Sequence, residues 1–287
     1  MRLCRYVGAE GAGRTGVLYR NGLVDAHQAM PGLAAIAAPG DVLGVLTATA
    51  DLRKDLLEAA DKLEVSALDQ ARLLAPIPNP PKIICCWVNY LEEGATRPSE
   101  NPIFFGKFNT AIIGDGDTIR LPRIADKIVV EPELTAVIGK AGRHIAPEDA
   151  LDHVCGYTIV NDVTAFSHRL IDLIGSRGPN MMAKTFDTFA PMGPGVSTPD
   201  LVGDPHCLRV RQWLNDDLEV DSSTSQMEVR LPEFISYLSQ FMTLEPGDLI
   251  LTGSPKPLGK LRFLSPGDRV RISIERVGTL NNLVAAE

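Results

Sequence analysis

Short apolar runs separated by turn residues dominate the chain after residue 81. Few of its segments carry the three-to-four-residue apolar spacing of an amphipathic helix, and the clearest are Ala146–Asp152 and Leu231–Phe241. The remaining runs are β-prone and have the length of strands. They are Ile83–Val88, Ala111–Ile113, Ile128–Val130, Leu134–Ile138, Gly156–Val160, Leu208–Leu214, Asp248–Leu251 and Arg269–Ile274. The pattern predicts an α+β, mostly β domain with few helices.

The first 75 residues have a different pattern. A strand-like start leads through the glycine-rich turn Gly8–Gly13 to a predicted hairpin over residues 16–24. The segment Asp51–Leu63 has leucines at helical spacing and predicts a helix. Prolines at 76, 78, 80 and 81 then hold the chain extended as a linker. We therefore predict a small N-terminal domain over 1–75 and a second domain over 76–287.

Composition and charge exclude several classes of protein. The chain has 287 residues and a net charge of −8, with its 28 Lys and Arg dispersed among 36 Asp and Glu. A phosphate-binding surface needs a basic face, so we expect no nucleic-acid partner. No apolar run reaches the ~18 residues of a membrane span, and no signal-peptide stretch opens the sequence, so we expect no membrane partner and a cytoplasmic location. Five cysteines without a CxxC pair indicate neither a disulfide framework nor a zinc site.

Two glutamates, Glu131 and Glu133, stand two residues apart in an otherwise apolar, β-prone run. Strand side chains alternate faces, so both project to one side and repel each other unless a cation lies between them. Pro132 between them predicts an edge strand or a bulge. A third acid, Asp162, follows the run 156–161. An oxygen-only set suits a hard cation, magnesium or manganese, with calcium as a further choice. The spacing alone is equally consistent with Glu131 and Glu133 lying on a solvated strand face, where they would form salt bridges instead of binding a metal.

Several longer motifs resemble those of one enzyme family, and they keep their order across residues 81 to 282. Residues 129–139, VVEPELTAVIG, resemble D-Y-E-x-E-L-x-x-V-I-G, and residues 156–165, GYTIVNDVTA, resemble G-Y-T-x-x-N-D-V-S-A. Residues 184–194, KTFDTFAPMGP, and 244–255, LEPGDLILTGSP, are similar to K-S-F-D-T-F-x-P-x-G-P and L-x-P-G-D-x-I-x-T-G-T-P. On these motifs the chain is identified as a member of the fumarylacetoacetate hydrolase family.

The resemblance implies a mixed β-roll catalytic domain, a small N-terminal α/β domain and a homodimer. It also implies a small carboxylate substrate, a 2-oxo acid or β-diketone, whose oxygens chelate the metal. On the matching positions the metal ligands would be Glu131, Glu133 and Asp162. Lys184 would lie beside them. The alternative without a catalytic role is a surface lysine in an ordinary ion pair. The turn Thr252, Gly253 and Ser254 would face the substrate carboxylate, or would simply close a strand.

Two segments depart from the family pattern. Hydrolytic members carry N-Y-x-x-H-x-x-E after the first catalytic-domain strand, where His and Glu activate water. This chain keeps Tyr90, predicted to contact substrate, but has Glu93 and Thr96 in place of the pair. Glu93 is a candidate replacement base, although an exposed loop acid is the commoner case. After Asp162, the substrate-gripping Arg and Gln are replaced by Phe166 and Arg169, predicted to line a more apolar pocket.

His168 lies in the second departing segment and is a candidate acid or base, although a lone histidine is more often structural. The leading functional prediction is a metal-dependent hydrolase or lyase that cleaves a carbon–carbon bond of a small 2-oxo or β-diketo acid. The runner-up is a keto–enol isomerase or oxaloacetate-type decarboxylase, which needs no activated water. A third reading is a small-molecule binder that has lost the chemistry.

Overall fold

Strands make up most of the regular structure. The computed structural model describes residues 1–91, 100–166 and 181–287, without the side chain of Asp69. The strands are β1 (Arg2–Val7), β2 (Gly13–Tyr19), β3 (Gly22–Asp25), β4 (Ser66–Ala67), β5 (Leu73–Leu74), β6 (Ile83–Trp87), β7 (Ile103–Lys107), β8 (Ile112–Ile113), β9 (Thr118–Leu121), β10 (Ile128–Val129), β11 (Pro132–Ile138), β12 (Val154–Asn161), β13 (Thr164–Ala165), β14 (Ala190–Ser197), β15 (Arg209–Leu214), β16 (Asp217–Ser223), β17 (Leu249–Leu251), β18 (Arg269–Ile274) and β19 (Gly278–Ala286).

Helices are short and lie between the strands. The α-helices are α1 (Ala26–Ala29), α2 (Val42–Leu46), α3 (Ala50–Ala60), α4 (Met181–Lys184), α5 (Pro199–Val202) and α6 (Leu231–Phe241), and 3-10 helices cover Pro31–Ala35, Leu68–Gln70, Asn109–Ala111, Pro147–His153 and Thr224–Gln226. Among the described residues, no helix combines the length and the apolar character needed to cross a membrane.

A twelve-stranded mixed sheet forms the centre of the molecule. Its strand order is β4-β3-β2-β1-β14-β12-β11-β17-β6-β7, with β5 paired to β1 and β8 paired to β14. Most pairs are antiparallel, but β17–β6 and β14–β8 are parallel. Every residue of β11 and β14 is buried. A five-stranded sheet (β16-β15-β18-β19-β9) and a two-stranded sheet (β10-β13) complete the predicted α+β, mostly β architecture, a mixed β-roll.

Most elements predicted from the sequence are present. The predicted hairpin turns at Arg20 and Asn21, which both have positive φ, as the tight hairpin turn requires. Helix α6 has the predicted bounds, and α3 ends three residues before Leu63. Two predictions need correction. The segment around Ala146–Asp152 is a 3-10 helix, and Ala111 belongs to a 3-10 turn that precedes β8.

The N-terminal residues share the central sheet with the rest of the chain. Strand β1 pairs with β14 through Arg2 opposite Ser197 and Leu3 opposite Val196. One continuous hydrophobic core joins Leu3 and Leu56 to Ile159 of β12. The domain boundary at 75/76 stays a prediction, but the two parts are continuous through backbone hydrogen bonds and apolar packing.

Candidate metal centre

The acids predicted from the sequence come together because β11 and β12 are antiparallel neighbours. Pro132 pairs with Asn161 and Glu133 with Val160, so the residue before β11 lies beside the residue after β12. Backbone hydrogen bonds fix this junction. The Asp162 N–H donates to the Glu131 carbonyl (2.9 Å), and the Glu131 N–H donates to Asn161 Oδ1 (3.1 Å).

Pro132 does not mark an edge strand or a bulge, so that prediction was wrong. Strand β11 lies inside the sheet between β12 and β17. However, β17 pairs only with Thr135 to Val137, and Pro132 is the first residue of its strand. A missing amide donor costs nothing at that position, because no strand of the described residues pairs with Pro132 on that side.

Glu131, Glu133 and Asp162 offer one oxygen each to a common point. These oxygens all lie within 4.8 Å of one another. Glu133 and Asp162 are only 2% and 1% exposed, whereas the Glu131 side chain is 25% exposed. The site therefore opens to solvent on the Glu131 side and is closed behind the other two acids.

Two ammonium groups approach the acids. Lys184, on α4, donates from Nζ to Glu131 Oε2 and to Asp162 Oδ2, both at 2.6 Å, and lies 4.8 Å from the centre of the Phe105 ring. Lys107, at the end of β7, donates to Asp162 Oδ1 at 2.6 Å. Both lysines are buried. Lys184 is thus the neighbour that the sequence predicted, and Lys107 is one that it missed.

Burial and the neighbouring charges shift the pKa values of the groups in the cluster. Burial and the negative charge of Asp162 raise the pKa of Glu133 well above its ordinary value. Burial opposes ionisation of Asp162, but the Lys107 and Lys184 charges outweigh it and lower its pKa. Burial likewise disfavours the Lys184 ammonium, but Asp162 and Glu131 raise its pKa.

The donor set fits a divalent cation. Three carboxylates face two ammonium groups, and burial with the charge of Asp162 disfavours ionisation of Glu133, a repulsion that a cation among the acids would offset. A buried charge without a partner is costly, and oxygen-only ligands are those that hard divalent ions prefer. The three acids could therefore hold one such ion.

The predicted turn Thr252–Ser254 packs against the cluster. The Thr252 hydroxyl donates to the Leu134 carbonyl (2.8 Å), and the Gly253 N–H donates to Glu133 Oε2 (2.7 Å). The Ser254 hydroxyl donates to the Pro255 carbonyl (3.2 Å) and is half-buried. Thr252 and Gly253 therefore have protein partners, and contact of this turn with a substrate carboxylate stays a prediction.

The remaining predicted site residues divide into two groups. Tyr90 is buried, and burial together with the charge of Glu133 raises its pKa, so its hydroxyl stays protonated beside the acids. Phe166 is 46% exposed just past β13. Glu93, His168 and Arg169 lie outside the described residues, and their catalytic or binding roles stay predictions.

Sequence reasoning also missed Thr164 as a polar contact of the cluster. Its hydroxyl donates to Glu131 Oε2 at 2.8 Å and stands two residues after Asp162, inside a motif already recognised. The signal for Lys107 was a lysine closing the apolar run 103–106. A lysine at such a position usually keeps its charge in water, so the run alone gave no reason to place it in the site.

Comparisons with known proteins point to one family. Residues 82–285 match the family described as fumarylacetoacetate (FAA) hydrolase C-terminal. The chain is 44% identical over 221 residues to oxaloacetate tautomerase fahd2, mitochondrial, of Xenopus laevis, an alignment that covers 74% of this chain and 68% of that protein. It is 39% identical over 229 residues to oxaloacetate tautomerase YisK of Bacillus subtilis, with 76% and 74% covered.

A solved structure extends the likeness to the whole chain. Maleylpyruvate hydrolase from Sphingobium sp. SYK-6, in complex with a manganese(II) ion and pyruvate, superimposes with a TM-score of 0.83 at 32% identity and covers 100% of this chain and 99% of that one. The ordered motifs, the acid cluster between β11 and β12 and these similarities lead to one conclusion: the chain belongs to the fumarylacetoacetate hydrolase family.

Proposed function

We propose that this protein interconverts the keto and enol forms of oxaloacetate, or of a closely similar 2-oxo dicarboxylic acid. The reaction would take place at a divalent metal ion held by Glu131, Glu133 and Asp162. The observation that carries the proposal is the convergence of three carboxylate oxygens within 4.8 Å beside a buried ammonium group. Relatives from a frog and a bacterium that are named oxaloacetate tautomerases support the choice of reaction.

Tautomerisation suits this sequence because it consumes no water. A proton leaves the carbon next to the carbonyl group, and a proton is added to the carbonyl oxygen. Hydrolysis of a carbon–carbon bond needs an activated water in addition. This chain has Glu93 and Thr96 where hydrolytic members carry the His and Glu that activate it. Both positions lie outside the described residues.

The chain's own residues would stabilise the negative charge that develops on the substrate oxygen. A bound divalent ion would supply Lewis-acid polarisation of that oxygen. Lys184 would add a fixed positive charge, because Asp162 and Glu131 raise its pKa and keep it protonated at neutral pH. The buried Phe105 and Tyr90 exclude bulk water from one side of the cluster, which strengthens both interactions.

The test follows the ultraviolet absorbance of enol oxaloacetate after addition of the keto form, with Mn²⁺ and with a chelator. We expect metal-dependent equilibration above the uncatalysed rate. Asp162→Asn should abolish it. Asp221→Asn should not, because Asp221 pairs with Arg209 on the separate five-stranded sheet. Oxaloacetate turnover no faster than in buffer, with the metal bound, would refute the proposal.

Carbon–carbon hydrolysis is the second candidate, because the maleylpyruvate hydrolase structure covers the entire chain. The same protein would be incubated with acylpyruvates and with oxaloacetate, and the products identified. Pyruvate plus a second acid would indicate hydrolysis, and carbon dioxide would indicate decarboxylation. A protein that binds oxalate but leaves every substrate unchanged would be a binder. Tautomerisation predicts enol formation without any of these products.

A further inference from the structure

Lys107 is the most deeply buried charged group next to the acids. Its side chain is 0% exposed, and Asp162 is 1% exposed. The ammonium group donates to Asp162 Oδ1 at 2.6 Å and to the Val163 carbonyl at 3.1 Å. Two acceptors on consecutive residues fix the ammonium relative to the backbone that carries Asp162. An ammonium is removed from water at large cost, so this arrangement needs a strong compensating interaction.

Protein donors hold one oxygen of Glu133, one oxygen of Glu131 and both oxygens of Asp162. The Gly253 N–H holds Glu133 Oε2, Thr164 and Lys184 hold Glu131 Oε2, and Lys107 holds Asp162 Oδ1. Lys184 bridges two acids and reaches the exposed side of the site. Of the three acids, Lys107 donates only to the buried Asp162, and its second acceptor is the Val163 carbonyl. Donors of this kind fix the orientation of metal-binding carboxylates.

We propose that Lys107 is a positioning residue of this metal centre. It holds Asp162 Oδ1, while Lys184 Nζ donates to Asp162 Oδ2. The inference rests on the metal site of the proposed function and adds to it a residue outside the recognised motifs. A positioning role and simple charge compensation predict opposite changes in cation affinity when Lys107 is replaced. If Lys107 only neutralised charge, removing it would strengthen the binding of a cation.

The test measures Mn²⁺ affinity by isothermal titration calorimetry, together with the electron paramagnetic resonance spectrum of the bound ion. Lys107→Met removes charge and donor at nearly constant volume, and Lys107→Gln keeps an N–H donor without the charge. The matched control is Lys82→Met. Lys82 pairs with Asp248, whose side chain is 0% exposed, at 2.9 Å, but outside the acid cluster.

We expect Lys107→Met to weaken Mn²⁺ binding by about 10- to 100-fold and to change the resonance spectrum. Lys107→Gln should weaken Mn²⁺ binding less, and this variant tests the proposal if Lys107→Met does not fold. Lys82→Met should lower the free energy of unfolding without changing the Mn²⁺ affinity. Tighter or unchanged binding in the Lys107 variants, or equal weakening in the control, would overturn the positioning role. A wild-type protein that binds no Mn²⁺ would instead overturn the metal assignment itself.

Discussion

Gly253 combines a left-handed backbone conformation with a close contact and a hydrogen bond to the acid cluster. Its φ is +88°, and a Cβ placed on it would lie 2.7 Å from the Asn89 Cβ. Asn89 cannot easily yield, because it is buried and hydrogen-bonded to both Val229 and Thr252. The Gly253 N–H donates to Glu133 at 2.7 Å. Gly253→Ala therefore perturbs both stability and the position of Glu133.

The magnitude follows from the two separate costs. A left-handed conformation costs an alanine about 1–2 kcal/mol, and overpacking a tight contact costs about 1–3 kcal/mol. We expect Gly253→Ala to lose about 2–5 kcal/mol of unfolding free energy. Gly267 is the matched control, since its φ is +95° and a Cβ there would meet nothing within 4 Å. Gly267→Ala should lose only the first cost, about 1–2 kcal/mol.

Urea denaturation without added metal gives the two free energies of unfolding, and calorimetry gives the Mn²⁺ affinities. The turn must shift to relieve the contact with Asn89, so Gly253→Ala should also weaken Mn²⁺ binding, while Gly267→Ala should not. Equal losses of stability in the two variants would refute the packing argument. An unchanged Mn²⁺ affinity in Gly253→Ala would refute the claim that this turn orients Glu133.

Three further predictions test the site and the fold. Glu131→Ala or Asp162→Ala should remove the rise in melting temperature that Mn²⁺ gives the wild-type protein, and a persistent rise measured by thermal shift would count against these ligands. Lys184→Met should lower the tautomerase kcat by about 10²-fold or more, measured by enol absorbance, whereas Lys54→Met on the exposed face of α3 should not. Burial opposes ionisation of Asp25, but Arg14, Tyr6 and the Gln28 N–H outweigh it and lower its pKa from 3.8 to about 2. Because the folded-state pKa is lowered, the ionised Asp25 stabilises the fold fully above pH 3.8, and this contribution is lost as the pH falls toward 2. Asp25→Asn should therefore make the free energy of unfolding, measured by urea titration, depend less on pH in this range.

Local rules placed the three acids at strand ends and on one strand face, and the family resemblance supplied the prediction that they form one ligand set. Period-two alternation puts Glu131 and Glu133 on one side, and a polar residue after an apolar run predicts Asp162 at a strand end. Lys107 was not predictable in this way. Its partner Asp162 is 55 residues away, and β11, β17 and β6 separate their two strands in the sheet, so only the tertiary fold brings the two side chains together. Pro132 was misread for the same reason, since the length of β17 decides whether its missing amide matters.

The attachment of β1 to β14 has a consequence for any shortened form of the protein. One edge of β14 pairs with β12, the strand that ends just before Asp162. The other edge pairs with β1 and with β8 at different residues. All of its residues are buried. A fragment that begins at residue 76 would keep every acid of the cluster, yet it would leave part of an apolar strand without a neighbour, an edge prone to self-association. Within the first seventy-five residues, Arg2 and Leu3 thus supply the backbone neighbours of Ser197 and Val196 on this strand.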